Sequence, residues 1–124
     1  MYKVLILMKK KVGLSRAEFI DYYENSHVPL MRELAPHREI YRRNYIVFDD
    51  PMFNVDGRSG AADQVTFDVV TESIFATREA AEEAKNAALA SPENLRRIKE
   101  DEANFCEPGS VRMYVVEVRQ SPIP

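Results

Sequence analysis

The sequence of 124 residues contains few of the residue types from which disulfides and metal sites are built. Its one cysteine, Cys106, excludes a disulfide within the chain, is typical of a reducing cytosol, and is expected to be a small buried apolar residue. The two histidines, His27 and His37, lie too far apart in the sequence to predict a multi-histidine metal site. A haem bound through one axial histidine has no support beyond His27 itself, and we expect no cofactor.

Other common functional signatures are also absent. The sequence has no glycine-rich phosphate loop, no paired-cysteine zinc motif, no HExxH and no GxSxG. A formal net charge of -3 supplies no basic field for nucleic acid, and no apolar run approaches the ~20 residues of a membrane span. The first residues, MYKVLILM, are too short and too weakly flanked for a signal peptide. We therefore expect a cytoplasmic protein, a single domain over residues 1–124, without nucleic-acid or membrane partners.

The clearest pattern in the sequence is the stretch 15–34, SRAEFIDYYENSHVPLMREL. Ser15 and Glu18 have the spacing of a capping box, in which the serine accepts a hydrogen bond from a backbone amide and the glutamate reaches back to the cap. The side chains that follow at helical spacing predict a largely aromatic and apolar helix face, formed by Phe19, Tyr22, Tyr23, Ser26 and Leu30.

His27 lies where a proline interrupts this helix. Pro29 has no amide hydrogen and is expected to push Val28 out of helical geometry, so that the helix kinks or ends beside His27. The negative end of the helix dipole favours a protonated imidazole there, whereas burial favours the neutral form. His27 is therefore either a general acid or base, or a residue that caps the kink by bonding a local carbonyl. His37, in the following turn, is expected to be exposed and inert.

The remaining periodicity predicts strands at 2–8, 38–48, 67–75 and 111–118, and helices after residue 15, over 78–90 and over 92–105. The order, β-α-β-β-α-β with one additional helix before the last strand, predicts an α+β protein of ferredoxin-like arrangement, with helices on one face of an antiparallel sheet. The long loop 49–67 carries Met52 and Phe53 and has the character of a lid or a partner-contacting arm. The tail 119–124 is expected to dock on a neighbour.

The first predicted strand is apolar on both of its faces. Such a strand is usually central in a sheet and covered on two sides. Helices of the same chain cover one face, and the sequence offers no further element for the other. We therefore expect a second copy of the chain to cover it, which predicts a homodimer.

Two acidic residues and two tyrosines are further candidates for chemistry. Asp68 and Glu72 lie four residues apart on a predicted strand, so they share a face of the sheet. Burial raises the pKa of such a carboxylate and makes it a usable base, while a neighbouring arginine, from the pair at 42–43, lowers it. Tyr22 and Tyr23 are either core aromatics or donors to a substrate oxygen. The charged run that holds Asp101 is typical of a solvated helix face.

Four segments of the chain, in order, resemble the EthD family of the dimeric α+β barrel superfamily. The strongest is KKKVGLSRAEFIDYYENSHVPL, similar to the family's glycine-leucine-serine and histidine-x-proline-leucine signature. The others are YRRNYIV, DVVTESIF and DEANFCEPGSV. They place on the family pattern Tyr41, Asn44, Asp68, Glu72, Phe75, Asp101 and Phe105. The sequence departs from the family in its more basic Arg42-Arg43 pair and in the length of segment 49–67.

The resemblance implies that two ferredoxin-like subunits pack sheet to sheet, with a pocket in each. It implies a small cofactor-independent enzyme, of dehydratase, isomerase or decarboxylase type, acting on an apolar aromatic, polyketide-like or lactone-like molecule. His27 then carries the proton, and Asp68 or Glu72 orients it or acts as the partner base. The expected substrate contacts are Tyr22, Tyr23, Tyr41, Asn44 and Phe75. The alternatives are a non-catalytic ligand-binding or accessory protein for a partner oxygenase or hydrolase, and a purely structural histidine.

Overall fold

The structure, a computed structural model, describes residues 1–56 and 67–124. Its elements are β1 (Tyr2–Met8), α1 (Arg16–Tyr22), a π-helical turn (Tyr23–His27), α2 (Val28–Leu34), β2 (Ile40–Tyr45), β3 (Val69–Phe75), α3 (Arg78–Ala88), α4 (Pro92–Phe105) and β4 (Arg112–Val116). β1 and α4 have the predicted bounds, whereas β2 and β4 are shorter at both ends. Of the predicted loop 49–67, residues 57–66 lie outside the described residues, and the described Met52 and Phe53 are exposed.

The strands form one antiparallel sheet in the order β2-β3-β1-β4. β1 pairs with β3 along its whole length and with β4 along its other edge. The helices pack on one face of this sheet, against alternate residues such as Ile6, Val69 and Thr71. This arrangement confirms the predicted ferredoxin-like α+β fold. In the two described ranges, no helix has the length and apolar character that a membrane span requires.

The helices begin where the sequence places capping residues. Ser15 Oγ accepts a hydrogen bond from the amide of Glu18, and the Glu18 carboxylate accepts one from the amide of Ser15. Thr77 and Ser91 cap α3 and α4 in the same way through their side-chain oxygens. These local bonds fix the first turn of each helix, so the helix starts follow from local sequence alone.

Replacing Ser15 by alanine is expected to destabilise the fold by about 1 kcal/mol, because the backbone amide of Glu18 loses the side-chain oxygen that accepts its hydrogen bond. Urea unfolding followed by circular dichroism should show a lower midpoint with an unchanged slope. The Ser15→Asn variant is the matched control, since asparagine also caps helices and should keep the wild-type midpoint. Equal midpoints for Ser15→Ala and wild type would show that the box contributes no stability.

The helix does not kink at Pro29 as the sequence predicts. Val28 keeps helical dihedrals (φ -60°, ψ -49°), and its amide donates to the carbonyl of Tyr23, one residue further back than in an α-helix. The π-helical turn therefore absorbs the disturbance, and Pro29 lies in the first turn of α2, where its missing amide hydrogen costs little. This widened turn brings His27 into the interior, where it is 2% exposed.

The core consists of two adjoining clusters between the helices and the sheet. An aromatic cluster joins the first helical segment to α4 and β1 through Phe19, Tyr23, Phe105, Ile6 and Met8. A second cluster joins α2, α3, α4 and β3 through Leu34, Phe75, Ala84, Ala88 and Ile98. Cys106 belongs to the first cluster and is 2% exposed, which confirms the prediction of a buried apolar role. The small side chains of α3 leave space between this helix and the sheet.

Candidate functional site

A cavity of about 470 Å³ lies between the helices and the inner face of the sheet. Most of its wall is apolar and is contributed by residues such as Val4, Ile6, Met31, Phe75, Ala84 and Ile98. The polar residues that line it are His27, Arg38, Tyr41, Ser73 and Glu102, with Arg78, Glu82 and Lys85 nearer its rim. A site of this size and character suits an apolar small molecule that is oriented by a few polar groups.

His27 reaches this cavity from the π-helical turn and is held from behind by α4. Its Nδ1 lies 2.9 Å from Oδ2 of Asp101. The other carboxylate oxygen of Asp101 accepts hydrogen bonds from the hydroxyls of Tyr22 (2.7 Å) and Ser26 (2.9 Å). Asp101 therefore has hydrogen-bond partners on both of its carboxylate oxygens.

The hydrogen-bond directions around Asp101 define the tautomer of His27. The side-chain amide of Asn104 donates to the Tyr22 hydroxyl at 2.8 Å, so that hydroxyl in turn donates to Asp101. A carboxylate that accepts from its neighbours requires a donor at Nδ1 of His27 as well. The Nδ1–H tautomer leaves the lone pair of Nε2 able to accept a hydrogen bond, and His27 is one of the residues that line the cavity.

Burial lowers the pKa of His27 below its usual 6.5. The hydrogen bond and the negative charge of Asp101 raise this pKa, and the positive charge of Arg38 lowers it, but burial has the largest effect. The helix-dipole argument from the sequence favoured the protonated form, and in the folded chain burial outweighs it. Near neutral pH the imidazole is therefore neutral and can accept a proton at Nε2.

Replacing Asp101 by asparagine is expected to lower the pKa of His27 further, because Asp101 is the group that raises it. An NMR titration of the His27 imidazole protons measures this directly. Ser26→Ala, which removes one donor to Asp101 but keeps its charge, is the matched control and should cause a smaller shift. A pKa of His27 that stays unchanged or rises in Asp101→Asn would contradict the electrostatic coupling inferred from the 2.9 Å contact.

Hydroxyl groups form a second polar cluster next to the imidazole. The hydroxyls of Tyr23 and Thr71 lie 2.7 Å apart, and both side chains are fully buried. Tyr41 lines the cavity, and its hydroxyl interacts with that of Tyr23. Burial raises the pKa of both phenols. Both tyrosines therefore stay protonated, and the Tyr41 hydroxyl can donate a hydrogen bond to an oxygen in the cavity.

Glu102 is a second titratable group in the cavity wall. It follows Asp101 on α4, but its side chain lines the cavity instead of bonding His27. Burial raises the pKa of Glu102, and only Lys99 acts in the opposite direction. A carboxyl group whose pKa is raised by burial in a cavity wall is a candidate acid or base toward a bound molecule.

The structure does not bring Asp68 or Glu72 to His27, so the expected orientation of the imidazole by either residue is corrected to Asp101. Asp68 accepts a hydrogen bond from the backbone amide of Lys10 at 2.6 Å, where β1 ends. Glu72 points from the outer face of the sheet and pairs with Lys3 at 2.6 Å and with Arg42 at 2.7 Å. These cations lower the pKa of Glu72, as the sequence argument required for a carboxylate beside arginine.

Of the expected substrate contacts, Tyr41 and Phe75 line the cavity. Tyr22 instead supports Asp101, and Tyr23 lies beneath the cavity wall with its hydroxyl on Thr71. Asn44 lies on the outer face and donates to Glu72 at 2.9 Å. The expectation that Tyr22, Tyr23 and Asn44 contact a substrate is therefore not supported by their positions.

The sequence analysis did not predict three residues of this site. Asp101 is the hydrogen-bond partner of His27, and Arg38 and Glu102 line the cavity. The only available signal was the agreement of Asp101 with the family pattern, and its charged surroundings suggested a solvated face. As to metals, the part of the chain that the structure describes holds no group of three or more His, Cys, Asp or Glu side chains arranged to bind an ion.

The fold and the site together define a small ferredoxin-like α+β protein with a histidine–aspartate pair beside an apolar cavity. A family model described as the EthD domain matches residues 11–109, and the chain belongs to the EthD family. This confirms the resemblance drawn from the sequence segments. No curated protein matches the sequence.

Solved structures share this fold at low sequence identity. An EthD family protein from Bacillus halodurans C-125 is 19% identical, with 96% of this chain and 100% of that chain covered and a TM-score of 0.60. A protein of Arabidopsis thaliana is 13% identical, with 99% and 100% covered and a TM-score of 0.59. A dimeric ferredoxin-like protein of unknown function from Jannaschia sp. CCS1 is 15% identical, with 94% and 98% covered and a TM-score of 0.52. Likeness at these identities shows the fold.

Proposed function

We propose that this chain is a small acid–base enzyme that acts on an apolar, cyclic or aromatic molecule in its cavity without a cofactor. The observation that carries the proposal is the contact of 2.9 Å between Nδ1 of His27 and Asp101, which leaves Nε2 as the proton acceptor of a residue that lines the cavity. The reaction class is dehydration, isomerisation or decarboxylation of an already activated substrate. A positioned acid or base contributes ~10²–10⁴-fold to such a step.

In this mechanism the neutral imidazole of His27 removes a proton from the bound molecule at Nε2. Asp101 holds the ring in the required tautomer and stabilises the imidazolium that forms. The Tyr41 hydroxyl polarises a carbonyl or hydroxyl oxygen of the substrate, and Glu102 is the second group able to return a proton. We assign the orienting role to Asp101 and leave Asp68 and Glu72 outside the mechanism.

Proton exchange with a probe ketone tests the proposal. β-Tetralone is an apolar bicyclic ketone with acidic α-hydrogens, and NMR in deuterium oxide follows their replacement by deuterium. The folded protein should accelerate exchange above the buffer rate, and the His27→Gln variant should return it to that rate. Acceleration that survives in His27→Gln would remove His27 from the mechanism.

The same cavity also supports a non-catalytic ligand-binding or accessory role, because its wall is mostly apolar. In that role β-tetralone binds without faster exchange, and His27→Gln binds it as tightly as the wild-type protein does. Fluorescence titration of the tyrosines measures binding independently of exchange, so the two roles give different pairs of results.

We also propose that the protein is a homodimer assembled through the outer face of the sheet. Leu5, Leu7 and Val70 lie on this face and are only partly buried, and Tyr114 beside them is 53% exposed. These apolar residues lie beside the ion pairs of Glu72 on a face that no described helix covers. A partly apolar sheet face of this kind is a typical interface, and a second copy offers a matching face. The dimeric assembly of the Jannaschia protein, which has the same fold, agrees with this proposal.

Sedimentation velocity at micromolar concentration should show a dimer for the wild-type protein. Leu7→Glu, which places a charge on the apolar outer face, should shift the protein toward monomer. Ala17→Glu adds the same charge at an exposed position of α1 and should leave the dimer intact. A wild-type protein that sediments as a stable monomer would contradict the interface.

A further inference from the structure

Arg38 is a cation in the cavity wall whose contacts are all with uncharged groups. Its Nε donates to the hydroxyl of Ser73 at 2.9 Å, and its Nη1 donates to the carbonyl of Ala35. The guanidinium lies over the ring of Tyr41, 4.7 Å from the ring centroid. Among residues 1–56 and 67–124, no carboxylate forms an ion pair with Arg38.

The two neighbouring arginines of β2, unlike Arg38, each form an ion pair with a glutamate. Arg42 pairs with Glu72 at 2.7 Å, and Arg43 donates to Glu24 through Nε at 2.8 Å and through Nη2 at 2.7 Å. A partly buried charge without a counter-ion is costly, and burial lowers the pKa of Arg38 accordingly. Within the residues that the structure describes, Arg38 is therefore a guanidinium in a mostly apolar cavity with no ion-pair partner to offset its charge.

Guanidinium groups carry five donors in a planar fork that fits a carboxylate. Nε and Nη1 of Arg38 have protein partners, and the described residues contain no buried side-chain nitrogen or oxygen without a hydrogen-bond partner. The remaining guanidinium nitrogen, Nη2, is consequently not fully buried, and Arg38 lines both the cavity and an open pocket beside it. The positive charge of Arg38 also lowers the pKa of His27, so the two side chains are close enough to interact. Both residues line the cavity.

We propose that Arg38 forms an anion subsite and that the ligand of this cavity is an apolar cyclic acid, whose carboxylate binds Arg38 while its ring lies against the apolar wall. The inference takes the ligand cavity of the proposed function as its starting point and names the substrate class. Arg38 also borders a second, open pocket, which is more polar than the cavity because Arg32, His37 and Glu39 line it beside Val28, Ala35 and Pro36.

Calorimetric titration with β-naphthoate and its neutral amide, β-naphthamide, tests the subsite. The wild-type protein should bind the acid ~10- to 100-fold more tightly, the ratio expected for one charge-assisted contact. Arg38→Gln should abolish this preference and leave the amide affinity unchanged. Arg78→Gln, which removes an exposed cation at the cavity rim, is the matched control and should retain the preference. Equal wild-type affinities, no binding of either probe, or a preference that follows Arg78 would overturn the proposal.

A measurement on the wild-type protein covers the case in which Arg38→Gln does not fold. A carboxylate bound at Arg38 offsets the charge that lowers the pKa of His27, so an NMR titration should show that pKa rise with β-naphthoate and not with β-naphthamide. Nuclear Overhauser contacts from the ring should reach Val4 and Ala84 in the cavity. An unchanged pKa of His27, or contacts to Pro36 in the open pocket, would overturn the subsite.

Failure of this inference is distinguishable from failure of the acid–base mechanism. A naphthoate preference that depends on Arg38, in a protein that does not accelerate exchange of β-tetralone, supports the subsite and rejects the mechanism. Exchange that depends on His27, in a protein with no preference for the acid, supports the mechanism and rejects the subsite.

Discussion

The His27→Gln variant is expected to lose ~10²–10⁴-fold in the rate of the reaction that the cavity supports, with little change in ligand affinity. Glutamine fills a similar volume and can still donate to Asp101, but it cannot accept and return a proton. The rate loss is measured with β-tetralone exchange, and affinity is measured by tyrosine fluorescence. An effect on the rate alone marks a group that acts in the chemical step.

The second histidine provides the matched control for this variant. His37 is exposed, forms an ion pair with Glu83 at 3.5 Å and is not among the residues that line the cavity. His37→Gln changes the same side chain in the same way and should retain the wild-type rate. Equal losses in both variants would indicate a general effect on the protein and contradict a specific role for His27.

The pH dependence of the wild-type rate follows from the same assignment. Because burial places the pKa of His27 below 6.5, the base is already deprotonated above that pH, and the rate should be level there. The rate should fall as the solution is acidified below 6.5 and the imidazole takes up a proton. In Asp101→Asn, where the pKa of His27 is expected to be lower, the fall should begin at a more acidic pH.

The fold was predictable because its signals are local. Ser15, Thr77 and Ser91 each cap a helix with bonds to residues three positions away, and strand periodicity needs only neighbouring residues. β1 and α4 accordingly have the predicted bounds. β2 is shorter than predicted because pairing with β3 extends only from Ile40 to Tyr45, and a pairing partner is not visible in the strand's own sequence.

The site was only partly predictable because its central contact is not local. His27 and Asp101 are 74 positions apart and meet only when α4 packs on the π-helical turn. The sequence indicated a disturbance at Pro29 but not its form, since a kink and a π-helical turn are both ways to accommodate a proline. The kink would have ended the helix at His27, whereas the turn keeps the helix continuous and presents the imidazole to α4.

The alternation of side chains along a strand also leaves open which of its two faces meets the helices, and the sequence does not decide this. Asp68 and Glu72 were expected near His27, but the residues of β3 that face the helices are Val69, Thr71 and Ser73. Glu72 has the opposite parity and faces outward. One residue of register thus decides whether a carboxylate meets the cavity or the outer face of the sheet.

Phe105→Ala is expected to destabilise the protein by about 3–5 kcal/mol, the largest stability loss we predict. The ring is fully buried and packs against the rings of Phe19 (5.6 Å between centroids), Tyr23 (5.2 Å) and His27 (5.0 Å). Its loss leaves a void next to the imidazole that the surrounding aromatic rings cannot fill. Urea unfolding measures the loss, and Phe53→Ala, at a position 78% exposed, is the matched control and should be near neutral.

The same variant links the core to the site. Burial is the main cause of the lowered pKa of His27, so water that enters beside the ring should raise that pKa toward 6.5. Phe105→Leu keeps the site apolar and mostly filled, and it should lose less stability and keep the pKa of His27 close to the wild-type value. An NMR titration of His27 in the two variants separates these outcomes. A lowered pKa that persists in Phe105→Ala would show that His27 is desolvated by its other neighbours and not by Phe105.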